Sequence, residues 1–117
     1  SLLVPIPLHK NRLRARGFNQ AEIISDVLSK HLNLPMDKNL LERVRDTKSQ
    51  IKMRGARERE ENVKGSIRIR EGRGLPQYQN LVLVDDVYTS GSTMEEATRT
   101  LRRSGAKNIT AFVIAKT

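Results

Sequence analysis

The chain has 117 residues, with 22 Lys and Arg against 13 Asp and Glu, for a formal net charge of +9. That length holds one domain with a modest core and leaves no room for a second. The absence of Cys excludes disulfides and thiolate metal sites, and no apolar run approaches the length of a membrane span.

Charge is unevenly placed. Residues 9 to 16 carry Lys10, Arg12, Arg14 and Arg16 with no acid, and residues 43 to 59 carry seven bases against Asp46 and Glu58. The rest of the chain balances, with eleven bases and eleven acids. An acidic ligand or polymer is the expected partner of two such segments. With no signal peptide visible, a cytoplasmic protein is the expectation. The chain opens on an apolar run without an initiator Met, which reads as a fragment lacking an upstream amino-terminal segment.

Leu2 to Leu8 reads as a first strand, with Pro5 and Pro7 near its end because proline cannot donate to the ladder. His9 to Gly17 follows as a basic loop. Asn19 starts a helix, with Glu22 at the capping-box position and Ile23, Ile24, Val27, Leu28 and Leu32 as its apolar face. His9 is expected to be structural, and His31 to sit on the surface near the helix end. Leu40, Leu41 and Val44 suggest a short second strand. From Asp46 to Asn62 nothing apolar is sustained, which marks a long polar functional loop, with room for a short helix over Ala56 to Glu61. Ser66 to Arg70 alternates as a half-exposed strand, and Gly72, Gly74 and Pro76 mark a turn.

The most informative stretch is Leu81-Val82-Leu83-Val84-Asp85-Asp86-Val87-Tyr88-Thr89-Ser90-Gly91-Ser92-Thr93. Four apolar residues read as a strand buried on both faces, and two acids follow where that strand emerges. Ser92 with Glu95 makes a capping-box start for the next helix. Backbone N–H groups of residues 89 to 93, with the hydroxyls of Thr89, Ser90, Ser92 and Thr93, suit a phosphate at a helix N-terminus. Gly91 allows close backbone approach. Asp85 and Asp86 only accept hydrogen bonds when ionised, so they suit sugar hydroxyls or the waters of a hard cation. A carboxylate repels phosphate, so the acids face the sugar and the loop faces the phosphate. Together they describe a ribose 5-phosphate site. A plain strand–turn–helix and a receiver-type phosphoacceptor Asp are the alternatives, the latter having no use for the hydroxyl-rich loop. A Walker A loop is excluded, because no Gly-Lys-Ser/Thr follows the glycine.

Met94, Ala97 and Leu101 line the following helix, Gly105 is its C-cap, and Ile109 to Ala115 is a last, buried-looking strand. The expected architecture is α/β, a mainly parallel twisted sheet flanked by helices.

The thirteen-residue stretch resembles the phosphoribosyl pyrophosphate (PRPP) motif of type I phosphoribosyltransferases, a resemblance that implies their fold over residues 1–117. Val4-Pro5-Ile6-Pro7-Leu8-His9, Arg12-Leu13-Arg14 and Arg16-Gly17-Phe18-Asn19-Gln20 are similar to the ComF/GntX (competence protein F) branch. Arg43, Arg45, Thr47, Gln50, Arg57 and Asn62 to Gly65 fit the same branch in order. Many ComF proteins carry a Cys-rich zinc-binding module, which in this case would lie upstream of Ser1.

By that resemblance Lys10, Arg12, Arg14 and Arg16 bind pyrophosphate, the alternative being a solvated basic loop or a nucleic-acid contact. The polar segment, with Arg43, Arg45, Arg54 and Arg57, is the flexible loop that closes over PRPP. Asp85 and Asp86 hold ribose, and Thr89, Ser90, Gly91, Ser92 and Thr93 hold the 5-phosphate. The expected cofactor is Mg, brought with PRPP, and no residue is singled out as a direct metal ligand or a general base. No acceptor pocket is visible. The expected function is PRPP binding, with transfer of the ribosyl group and release of pyrophosphate, in a protein of DNA uptake. The alternative is a non-catalytic PRPP-sensing or single-stranded-DNA-binding module with competence-machinery partners. Against it, Phe18, Tyr78, Tyr88 and Phe112 are the only aromatics, few for base stacking.

Overall fold

A computed structural model of the chain describes residues 1–45, 63–88 and 92–116. Its centre is β4 (Asn80–Tyr88), which pairs in parallel with β1 (Leu2–Pro5) on one side and with β5 (Asn108–Lys116) on the other. A parallel bridge between Leu3 and Met36 extends the sheet beyond β1. A parallel strand needs a crossover to reach its neighbour, and here helices supply it. α2 (Gln20–Leu32) runs from β1 towards the Met36 bridge, and α3 (Ser92–Arg103) runs from β4 to β5. The α/β architecture expected from the sequence is the one found.

The two faces of the sheet bury different sets of residues, as period-two alternation requires. Leu2, Val4, Leu81 and Leu83 meet Met94, Ala97 and Leu101 of α3, together with Leu40, Leu41 and Ile67. Leu3 and Val84 meet Ile24 of α2, with Leu28, Met36 and Val82 packed around them. β2 (Leu41–Arg43) and β3 (Ile67–Ile69) form a separate antiparallel pair, in which Leu41 faces Ile69 and Arg43 faces Ile67.

Three local expectations need correction. First, the basic stretch after β1 is not a loop but α1 (Lys10–Arg16). His9 caps it, its Nδ1 accepting from the Asn11 N–H at 3.2 Å, and Gly17 ends it with φ at 85°. Lys, Arg, Leu and Ala are good helix formers, Gly is the favoured left-handed cap, and Arg14 and Arg16 suit the negative end of the dipole. Second, Asn19 does cap α2 through the Ala21 N–H at 3.1 Å, but Glu22 does not complete the box. Its carboxylate lies 3.5 Å from Lys38 Nζ. The buried face of α2 is Ala21, Ile24 and Ser25, while Ile23, Val27 and Leu32 are exposed. Third, Phe112 in β5 is 39% exposed. Its side of β5 lies beyond the reach of α2, which covers β1 and β4.

Pro5 is the last residue of β1, and Pro7 lies beyond it, as their missing donors demand. His31 is exposed in the last turn of α2. The helix proposed for residues 56 to 61 falls outside the described residues.

Candidate functional site

β1 stops at Pro5, opposite Val84, while β4 runs four residues further to Tyr88. The sheet therefore opens a step at its carboxyl end, and Asp85 and Asp86 stand on that step within the strand. The Ile6 N–H donates to the Val84 carbonyl at 2.8 Å, and the Asn19 side-chain amide donates to the Ile6 carbonyl at 3.0 Å. One Asn thus fixes the start of α2 and the floor beside the acids. Both carboxylates are half-buried, and Asp85 Oδ1 accepts from the Asp86 N–H at 2.9 Å. Alternation places Asp85 on the α3 face with Leu83, and Asp86 on the α2 face with Val84.

Of the residues expected to hold the 5-phosphate, Thr89, Ser90 and Gly91 fall outside the described residues. Ser92 opens α3, and Thr93 is half-buried in its first turn.

The four cations assigned to pyrophosphate are divided by the helix that carries them. Residues four apart share a stripe, so Lys10 lies with Arg14 and Arg12 with Arg16, on stripes roughly 160° apart. Lys10, Arg14 and Arg16 are exposed, and the Arg16 guanidinium sits 5.5 Å from the centre of the Phe18 ring. Arg12 is different: its Nε is buried and has no hydrogen-bond partner among the described residues.

Arg43 belongs to β2 rather than to the polar segment, and is 6% exposed because its register opposite Ile67 turns it inward with Leu41. Arg45 reaches the Lys64 carbonyl through its Nη2. Arg54 and Arg57 lie outside the described residues.

A residue that the sequence did not single out links these parts. Glu96 is 2% exposed; its Oε2 accepts from the Gly65 N–H at 2.9 Å and its Oε1 from Arg99 Nη1 at 2.7 Å. Thr100 Oγ1, one turn on, donates to the Ile67 carbonyl at 2.9 Å. Thr93, Glu96 and Thr100 recur at helical spacing beside the apolar stripe of Met94, Ala97 and Leu101. That polar flank was the available signal. It ties the helix behind the phosphate motif to the backbone entering β3.

A cavity of about 420 Å³ lies between the β1–α1 junction and the β2–β3 pair. His9, Lys10 and Leu13 line it from one side, and Glu42, Val44 and Arg68 from the other.

A family model for the phosphoribosyl transferase domain matches residues 15–117. The chain belongs to that family, and within it to the ComF group. It is 34% identical over 114 residues to Competence protein F of Haemophilus influenzae, which covers 97% of this chain and 49% of that protein. It is 35% identical over 116 residues to DNA utilization protein YhgH of Escherichia coli, covering 98% and 49%. Competence protein ComFC of Bacillus subtilis is 32% identical over 116 residues, covering 98% and 44%. The chain thus spans about half the length of the curated relatives it matches. No solved structure matches it significantly. Among the described residues, no helix is long and apolar enough to cross a membrane.

Proposed function

We propose that this chain binds Mg-PRPP at the carboxyl end of its sheet and transfers the ribosyl 5-phosphate group to a nitrogen acceptor. The observation that carries the reading is the PRPP-like motif itself, whose two acids stand on the step left by β1 and whose end opens α3. Asp85 and Asp86 take the ribose hydroxyls, and residues 89 to 93 take the 5-phosphate at the positive end of the α3 dipole. Arg12, whose Nε is buried without a hydrogen-bond partner among the described residues, supplies the guanidinium for pyrophosphate. The described residues include no cluster of three or more His, Cys, Asp and Glu suited to a metal. Asp85 and Asp86 would accept from waters of a Mg ion brought with PRPP, and that ion would supply charge neutralisation at the leaving group. The protein's own work is to hold the ribose, stabilise that charge with fixed cations and keep water from C1. Calorimetric titration with PRPP and with ribose 5-phosphate tests the reading. The expected result is Mg-dependent PRPP binding tighter than ribose 5-phosphate binding, and equal or absent binding of both refutes it.

A second reading has its own support. Arg16 and Phe18 are exposed, with the Arg16 guanidinium over the Phe18 ring, and such a pair suits a stacked base beside a phosphate. Two of the relatives bear competence names and another a DNA utilization name. On this reading single-stranded DNA is a partner and the protein acts in DNA uptake. Binding that weakens steeply with salt, and is lost in Phe18→Ala, is the expected signature.

A further inference from the structure

The cavity beside α1 has walls of two chemical kinds. Pro7, Leu8 and Leu13 bring carbon surface from the β1–α1 side, and Val44 brings it from the β2 side. Between them stand three cations, Lys10, Arg68 and Arg70, against one carboxylate, Glu42. Glu42 is used to aim guanidinium groups. Its Oε1 accepts from Arg68 Nε at 2.6 Å and its Oε2 lies 3.5 Å from Arg70 Nη1, while Arg70 Nε donates to the Asn39 carbonyl at 3.2 Å. Among the described residues, the Arg68 terminal nitrogens and Arg70 Nη2 have no such partner. His9 adds a donor, since capping α1 through Nδ1 leaves the ring proton on Nε2.

We propose that this cavity is the acceptor site, and that it takes a small nitrogenous acid, a ring compound whose carboxylate lies against the Arg68 and Arg70 guanidinium groups. The inference rests on the PRPP reading above and names the second substrate class for it. Pyrophosphate is polar on every side and gains nothing from Pro7, Leu8, Leu13 and Val44, whereas a carbon ring does. A neutral base offers nothing to the Arg68 and Arg70 guanidinium groups, whereas a carboxylate matches paired guanidinium donors. A volume of about 420 Å³ has room for one such ring. In the transfer, an acceptor nitrogen bonds to C1 of PRPP. The C1–oxygen bond breaks, its electron pair leaves on pyrophosphate, and any proton on the acceptor nitrogen passes to water.

The test is equilibrium dialysis of two matched pairs, nicotinate with nicotinamide and orotate with uracil, with and without Mg-PRPP, which is titrated in parallel. The acid of at least one pair is expected to bind about tenfold more tightly than its neutral partner, the worth of one charge-assisted hydrogen bond. The double variant Arg68→Gln/Arg70→Gln, altered at two exposed side chains, is expected to abolish that preference while leaving PRPP affinity within about twofold. Glu42→Gln is expected to reduce the preference without abolishing it. Equal binding of acid and neutral partner in both pairs, or displacement of the acid by PRPP, overturns the proposal. Failure of PRPP to bind overturns the underlying reading instead, and is seen separately in the parallel titration.

Discussion

Glu96→Ala is expected to destabilise the domain by about 2–3 kcal/mol, and the figure follows from what the carboxylate touches. The Gly65 N–H is part-buried and donates to Oε2, so truncation strands a backbone donor, at a cost of about 1–3 kcal/mol. The second bond goes to Arg99, whose side chain is 42% exposed and regains water when released, so its loss adds less than about 1 kcal/mol. Burying a methyl where a carboxylate stood leaves a further small void beside Gly65. For a domain of this size the total lowers Tm by roughly 10 °C. Glu96→Gln keeps the shape and one acceptor oxygen, and is expected to lose about 1 kcal/mol or less. Arg99→Gln, which removes the cation but keeps one amide donor for the buried carboxylate, is expected to cost about 1 kcal/mol. Urea denaturation of the three variants gives the comparison. A Glu96→Ala midpoint equal to that of Arg99→Gln refutes the reasoning, because the Gly65 bond then contributes nothing.

Three further outcomes follow from the same contacts. Asp85→Asn or Asp86→Asn is expected to weaken PRPP binding by about 1.5–3 kcal/mol without unfolding the domain; unchanged affinity in both variants, read by calorimetry, removes the ribose assignment. Asn19→Ala removes both the α2 cap and the bond to the Ile6 carbonyl, and is expected to cost about 1–2 kcal/mol in thermal or urea unfolding. Saturating Mg-PRPP is expected to slow tryptic cleavage at the Lys and Arg of residues 46–62, and equal rates with and without it count against closure over the ligand.

The core and the order of elements were legible because they depend on local pattern. Leu81 to Val84 is a run that only a strand buried on both faces explains, and Met94, Ala97 and Leu101 sit at helical spacing. What escaped was either a matter of caps or of contacts between distant residues. His9 and Gly17 bracket a seven-residue helix, but positive charge at every second residue looks like a loop when charge alone is read. The five apolar residues of α2 cannot all face inward, and the sheet's width decides which do: Ile24 does, Ile23 and Val27 do not. Glu96 and Gly65 are 31 residues apart, and the cavity joins the β1–α1 junction to β2 and β3. Nothing in the sequence pairs such positions.

The helical form of residues 10 to 16 changes what its charge can do. On a loop, four cations converge on one polyanion. On a helix, 100° per residue sends alternate side chains to opposite sides, so at most one stripe faces a compact ligand. Arg12 has the buried Nε, Lys10 lines the cavity, and Arg16 lies against Phe18 in solvent. One short helix therefore presents cations to three surroundings at once. A pyrophosphate needs only Arg12 of this helix, and Lys10 is the helix's one contribution to the cavity where Arg68 and Arg70 take the carboxylate. The outward ones remain for a longer polyanion. Binding of PRPP and of DNA are then not rival uses of one patch, since the helix separates the side chains each would need.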